Sequence, residues 1–209
     1  AGEPKLLDFG IAKLMNENIN TDPSQHTQHG WRVMTPAHAS PEQVTGDAIT
    51  TSSDIYVLGL LLYQLLCGKR AITIPANARM AEIQKLVCEH TPALPSDVLL
   101  ALSKENTQLT QDIGFSRGSS LKQLFKLLKG DLNNIVMMAL RKEPQRRYLT
   151  ANQFAEDIQH WLSGQPVTAT QDSWSYRSSK FISRHRYAVA AASLTLVMLC
   201  AFSVLTYLQ

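Results

Sequence analysis

Lys5-Leu6-Leu7-Asp8-Phe9-Gly10 ends a short apolar run on a carboxylate followed two residues later by a glycine. An aspartate at the end of a hydrophobic strand can project its carboxylate at a metal ion, and the glycine permits the backbone turn that aims it. Taken alone, the pattern is also that of an ordinary turn. Three further groups follow it in order: Thr35-Pro36-Ala37-His38-Ala39-Ser40-Pro41-Glu42-Gln43, then Ser53-Asp54-Ile55-Tyr56-Val57-Leu58-Gly59, then Pro144-Gln145-Arg146-Arg147. His26, His29 and His38 lie in an irregular stretch with no cysteine or carboxylate at ligand spacing, which argues against a metal site there.

The elements that must position these groups are mostly helical. Residues 5–8 read as a short strand, and residues 11–50, rich in turn formers, as a long loop of the kind that in compact domains is functional or mobile. From Thr51 the spacing of Ile55, Leu58, Leu62, Leu65 and Leu66 predicts a helix that stops at Gly68. Val57, Leu60 and Leu61 fill its other sides, so it belongs in the centre of a domain. A polar, proline-punctuated region spans 71–118, with one helix near 79–88. Leu121, Leu124, Phe125 and Leu128 form an apolar stripe, and Lys122, Lys126 and Lys129 line another side as a solvated face rather than a lipid or nucleic-acid contact. Asp131 is a candidate N-cap for the next helix, which Pro144 ends. Thr150 and Gln153 make a capping box for a helix carrying Phe154, Ile158, Trp161 and Leu162 and closing at Gly164.

The 209 residues are 44% hydrophobic and 18% charged, with a net charge of +3, which fits a globular chain and does not suggest a nucleic-acid binder. The three cysteines, Cys67, Cys88 and Cys200, form no CxxC pair and fit reduced thiols better than disulfides or zinc. Residues 188–208 are free of charge, and a helix of that length is roughly 30 Å long, as thick as a bilayer's hydrocarbon core. The alternative is a buried core helix. Arg177, Lys180, Arg184 and Arg186 crowd its N-terminal side, so the positive-inside rule puts the preceding residues in the cytoplasm.

Together the four groups, in this order and spacing, resemble the eukaryotic-like serine/threonine protein kinases of bacteria over approximately residues 1–163, the subgroup with a juxtamembrane tail. The resemblance implies a mainly α fold: a kinase C-terminal lobe, an incomplete kinase fold, followed by a single transmembrane helix. The lobe would occupy 1–163 with an activation segment at 8–42, a basic juxtamembrane linker 164–187 and the span 188–208. Asp8 would chelate the Mg2+ that bridges the ATP phosphates, beside Phe9 and Gly10 as part of the cofactor-binding motif. Thr21, Ser24 and Thr27 would be activation-segment hydroxyls open to phosphorylation, or else plain loop polarity. Thr35, Pro36 and His38 would belong to the substrate loop, Thr35 favouring a serine or threonine acceptor. Glu42 and Arg147 would form a buried ion pair, and Asp54 would accept hydrogen bonds from the catalytic-loop backbone. Met34 and His38 depart from the usual glycine and tyrosine, which bears on peptide preference.

The sequence contains no GxGxxG, no Val-Ala-x-Lys and no His-Arg-Asp-Leu-x-x-x-Asn, so no catalytic base is expected within it. The expectation is an ATP-dependent serine/threonine kinase at the inner membrane, acting on protein substrates, of which this chain is a truncated part inactive alone. The alternative is a non-catalytic membrane-tethered interaction module or pseudokinase-like scaffold. The all-round apolar helix after Thr51 also predicts self-association of the isolated chain.

Overall fold

The computed structural model describes residues 36–105, 107–171 and 173–208. The expected strand at 5–8 and the site residues Asp8, Phe9, Gly10, Thr21, Ser24, Thr27 and Thr35 lie outside them. In chain order the helices are α1 (Pro41–Thr45), α2 (Thr51–Cys67), α3 (Met80–Cys88), α4 (Pro95–Glu105), α5 (Thr107–Ser116), α6 (Leu121–Leu128), α7 (Asp131–Ala139), α8 (Ala151–Leu162), α9 (Trp174–Arg184) and α10 (Arg186–Leu208). Single 3₁₀ turns lie at Pro36–His38 and Pro144–Arg146, and no strand occurs among the described residues.

The capping residues at both ends of α2 define the central helix. The Thr50 hydroxyl accepts from Ser52 N and the Ser53 hydroxyl accepts from Thr50 N, both at 3.3 Å, a reciprocal cap over the first turn. Gly68 takes φ 74° and donates to Gln64 O, and the Arg117 guanidinium donates to Leu65 O, so two of the last-turn carbonyls are also met. One side of α2 puts Ile55 among Ile135, Ala139, Tyr148, Phe154 and Val167. Another puts Tyr56, Leu60, Tyr63 and Cys67 against Val136 and Leu140. Between them Gly59 lets α2 and α7 cross closely, since a Cβ there would sit 2.9 Å from the Ala139 Cβ. The remaining stripe of Asp54, Leu61 and Leu65 is exposed, Leu65 at 70%.

Helix α3 forms where the sequence pattern predicts one, and α4 and α5 also form in the polar, proline-punctuated region 71–118, expected to hold one helix. Leu99, Leu102 and Ile113 give them an apolar side that packs on Leu124, Leu128 and Leu132. At the start of α4, Ser96 N donates to Asn133 Oδ1 (3.2 Å) and Asn133 Nδ2 to Ser96 Oγ (2.7 Å), a buried polar pair pinning α4 to α7. Two caps differ in detail. Gly130, not Asp131, precedes α7, leaving the Asp131 carboxylate free to bind elsewhere. At α8 the Thr150 hydroxyl accepts from Gln153 N, but the Gln153 side chain reaches Leu149 N instead of closing the box.

Part of the stretch 164–187, expected to be a polar and basic linker, is held against the lobe. Val167 is buried in the cluster around Ile55. The Asp157 carboxylate, 1% exposed, accepts from Tyr148 Oη (2.8 Å), Thr168 N (2.8 Å), Thr168 Oγ1 and Ala169 N (2.9 Å). Asp131 holds the next turn, accepting from Thr170 Oγ1 (2.8 Å) and pairing with Lys180 Nζ at 2.6 Å. Helix α9 presents Tyr176, whose Oη accepts from Val167 N at 3.1 Å.

The expected membrane span is not recovered in the described residues. Among the described residues, no helix is long and apolar enough to cross a membrane. The helical backbone of α10 itself continues to Leu208, 23 residues in all.

Candidate functional site

The chain enters the described lobe through the 3₁₀ turn Pro36–His38, with Ala37 and Ala39 buried and Ala39 packed among Val44, Ile72 and Val87. Ser40 begins α1 in extended backbone and its N–H donates to Gln43 Oε1 at 2.8 Å, while Pro41, whose missing N–H costs nothing in a first turn, follows it. This start puts Glu42 one residue later with its side chain turned inward, 4% exposed.

Arg147 meets it there, 105 residues away along the chain. The 3₁₀ turn Pro144–Arg146 presents Arg147, which is 2% exposed. Its Nη1 and Nη2 donate to the two Glu42 carboxylate oxygens at 2.7 and 2.9 Å, a bidentate fork. The remaining donors go to carbonyls: Nη1 to Ser52 O (2.9 Å), Nη2 to Lys142 O (2.9 Å) and Nε to Arg141 O (2.7 Å). Every N–H of the guanidinium is thus used. Ser53 Oγ adds a hydrogen bond to Glu42 Oε1 at 2.6 Å, and Ser52 Oγ donates to Pro144 O at 3.0 Å. Burial pushes the Glu42 carboxyl up, but the hydrogen bonds from Arg147 and Ser53, with the nearby positive charge, outweigh it and hold the group below the ordinary carboxylate range.

Tyr56 forms the floor of this clamp. The Arg147 guanidinium lies 4.8 Å and the Lys142 ammonium 5.5 Å from its ring centre, both in cation–π range. Lys142 Nζ also donates to Val87 O (2.6 Å) and Tyr56 Oη (3.1 Å). Burial brings the Lys142 ammonium down to about 8, with Arg147 adding to the effect against the opposing influence of Cys88, and burial also raises the Tyr56 phenol. A groove of about 540 Å³ runs alongside, lined by Pro41, Thr45, Cys88, Lys142 and Pro144 among others.

The structure therefore brings Glu42 and Arg147 together, with Ser52, Ser53, Tyr56 and Lys142 around them. Asp54 sits exposed in the first turn of α2. His38 is half-buried, and its Nε2 has no partner among the described residues. Lys142 cannot be recognised as a site residue from sequence, because a single lysine after a helix end carries no pattern. For Tyr56 the available hint is its place three residues after Ser53 on the same helix. What the assembly does chemically is mechanical. It ties the segment ending at Gln43 to the helical lobe, fixing where the residues before it, Pro36 to His38, leave the core. Among the described residues no group of histidines, cysteines and carboxylates could hold a metal. Asp8, which the family resemblance makes a magnesium ligand, lies outside them.

The sequence matches the protein kinase domain family over residues 1–162. It is similar to a probable serine/threonine-protein kinase of Streptomyces coelicolor, 30% identical over 169 residues, which cover 81% of this chain and 20% of the relative. It is similar too to the serine/threonine-protein kinase PknB of Mycobacterium tuberculosis, 28% identical over 167 residues, 79% of this chain and 21% of that one. A probable PknB of Bifidobacterium longum is 27% identical over 169 residues, 80% and 20% respectively. The chain thus spans about a fifth of the length of these curated relatives. With the helical lobe closed by the Glu42–Arg147 fork, this match places the chain in the protein kinase domain family, as a bacterial serine/threonine-kinase-like sequence.

Proposed function

We propose that this chain is the C-terminal-lobe portion of a membrane-anchored kinase that transfers the γ-phosphoryl group of ATP, with Mg2+, to serine or threonine of proteins. One observation carries the reading: Arg147 forks onto Glu42 with two hydrogen bonds and onto three backbone carbonyls with the rest, tying the segment that ends at Gln43 to the central helix. In this reading Asp8 binds Mg2+ beside Phe9 and Gly10, Thr35, Pro36 and His38 shape the acceptor site, and Thr21, Ser24 and Thr27 are available for phosphorylation. The catalytic base and ATP-binding lysine are supplied by kinase sequence outside these 209 residues, so this chain alone transfers no phosphate.

The test is radiolabel transfer from γ-labelled ATP by the polypeptide carrying the whole kinase domain, in parallel with the 209-residue chain. The larger protein is expected to label serine or threonine, and Asp8→Asn to abolish that, while the short chain stays silent. Phosphotransfer that survives Asp8→Asn overturns the assignment of Asp8. Absence of transfer from the larger protein favours the tethered interaction module.

The membrane part of the proposal places α10 across an inner membrane, with the lobe on the cytoplasmic side. It is supported by the charge-free stretch 188–208 and by the exposure of Leu194, Leu196, Val197, Met198 and Leu199, each more than 60% open. Cys200, which is exposed on this helix, provides the test. With the chain reconstituted in lipid vesicles, a charged maleimide is expected to spare Cys200 until detergent is added, while half-buried Cys88 reacts. Labelling of Cys200 in intact vesicles refutes the span.

A further inference from the structure

Helix α9 is amphipathic, and the side it turns towards the protein is not its apolar one. At 100° per residue, Trp174, Ser178, Phe181, Ile182 and His185 share one face, whereas Tyr176, Lys180 and Ser183 share the opposite face. The half-buried residues of the helix are Tyr176 and Lys180, the two that hydrogen-bond Val167 N and pair with Asp131. Trp174 is 90% exposed, Phe181 56% and Ile182 50%. A soluble lobe would gain by turning these three inward, yet the polar side is docked and the aromatic side faces out.

Charge identifies what covers that face. Arg177 and Arg184 flank it, Arg186 follows within one turn, and from Trp174 to Leu208 there is no acidic residue. The helix also runs directly into α10, whose described side chains are almost all exposed. An exposed tryptophan and phenylalanine bordered by arginines, at the root of an apolar helix, is the composition of a helix lying in a headgroup layer.

We propose that the Trp174–Phe181–Ile182 face of α9 seats in the interface of an anionic phospholipid bilayer, its arginines contacting lipid phosphates. The Lys180–Asp131 pair and the Tyr176–Val167 contact then hold the lobe against the membrane surface rather than at the end of a free tether. This inference rests on the reading of α10 as a membrane span. The lipid class is the new element: a neutral bilayer offers the arginines no net negative charge.

The experiment uses the full chain in phosphatidylcholine vesicles, with and without phosphatidylglycerol, each containing a brominated-chain lipid that quenches nearby indole. Trp31 and Trp161 also emit, so the Trp174 signal is taken as the difference between the native chain and Trp174→Phe. Quenching that depends on Trp174 is expected in anionic vesicles and is expected to fall sharply in neutral ones. Arg184→Gln with Arg186→Gln removes two cations near the surface, and the seated fraction is expected to shift by on the order of thirty-fold in equilibrium constant. Cys200 labelling is read in the same samples. If Cys200 is shielded but Trp174 goes unquenched in both vesicles, the interfacial seat is refuted and the span stands. Should Cys200 be open, both fail together. Equal quenching in neutral and anionic vesicles refutes the lipid class, and a Trp174 signal that depends on protein concentration, not on lipid, refutes it in favour of a second copy.

Discussion

Removing Arg147 tests whether the clamp is a structural keystone of the lobe or an incidental contact. Arg147→Ala deletes five hydrogen bonds at once and strands Glu42, 4% exposed, with Ser53 as its remaining side-chain partner and three carbonyls deprived of their Arg147 donors. Breaking a buried pair from one side costs about 3–5 kcal/mol, because a charge is left without compensation. Glu42→Gln keeps the volume and one acceptor oxygen but loses the charge, a loss of about 1.5–3 kcal/mol for hydrogen bonds to ionised groups. Combining Glu42→Gln with Arg147→Ala removes both charges, so the double variant is expected to fall short of the sum of the singles by at least about 1.5 kcal/mol. Urea unfolding of the full chain in detergent, followed by far-ultraviolet circular dichroism, measures all of these. Acid provides a second readout. The Glu42 carboxyl is held below its unfolded value, so its contribution is complete above the unfolded carboxyl pKa of ~4.3 and is lost as pH falls through the folded value. Glu42→Gln lacks that part of the acid limb. An Arg147→Ala cost under about 1 kcal/mol, or single-variant effects that simply add, would refute the keystone argument.

Three other predictions use different parts of the fold. Gly59→Ala inserts a methyl 2.9 Å from the Ala139 Cβ and is expected to destabilise the lobe by about 1–3 kcal/mol in the same urea assay. Asp157→Ala removes the acceptor for Thr168 N, Thr168 Oγ1, Ala169 N and Tyr148 Oη, so limited proteolysis is expected to cut within 165–173 much faster than in the native chain. Lys142, brought down to about 8, binds its proton less tightly folded than unfolded at ~10.4. Stability is therefore expected to rise with pH between those two values, and Lys142→Met to flatten that rise in urea midpoints measured across the same window.

The apolar period of α2 is enough by itself to place that helix in the centre of the lobe, because a helix that is apolar on nearly every side must be covered on nearly every side. The start of α8 is similarly legible, since Thr150 and Gln153 sit at a fixed offset in the chain. Regions whose apolar residues keep no clear period are not. Val98, Leu99, Leu100, Ala101 and Leu102 run consecutively and so set no helical period, and α4 and α5 pack where α6 and the start of α7 offer them a surface. Glu42 and Arg147 are paired by a family resemblance, not by their own neighbourhoods. No local rule links two residues 105 apart, and the carbonyls of Ser52, Arg141 and Lys142 that complete the site are invisible in any sequence.

The tail illustrates the same division and changes the picture of the lobe. A polar, serine-rich and basic composition suggests a linker, and composition is a fair guide where nothing nearby needs a partner. Here Asp157 does. It lies on α8 beside Phe154 and Ile158 at 1% exposure, and a buried carboxylate demands donors. Tyr148 supplies one and the turn at Thr168–Ala169 supplies the rest. The segment is held by a charge that belongs to the lobe, together with its own Val167 in the core. It follows that the contacts of the lobe reach on to Thr170, and that α9 is held through Tyr176 on Val167 and Lys180 on Asp131. Only then does it matter which face of α9 points outward.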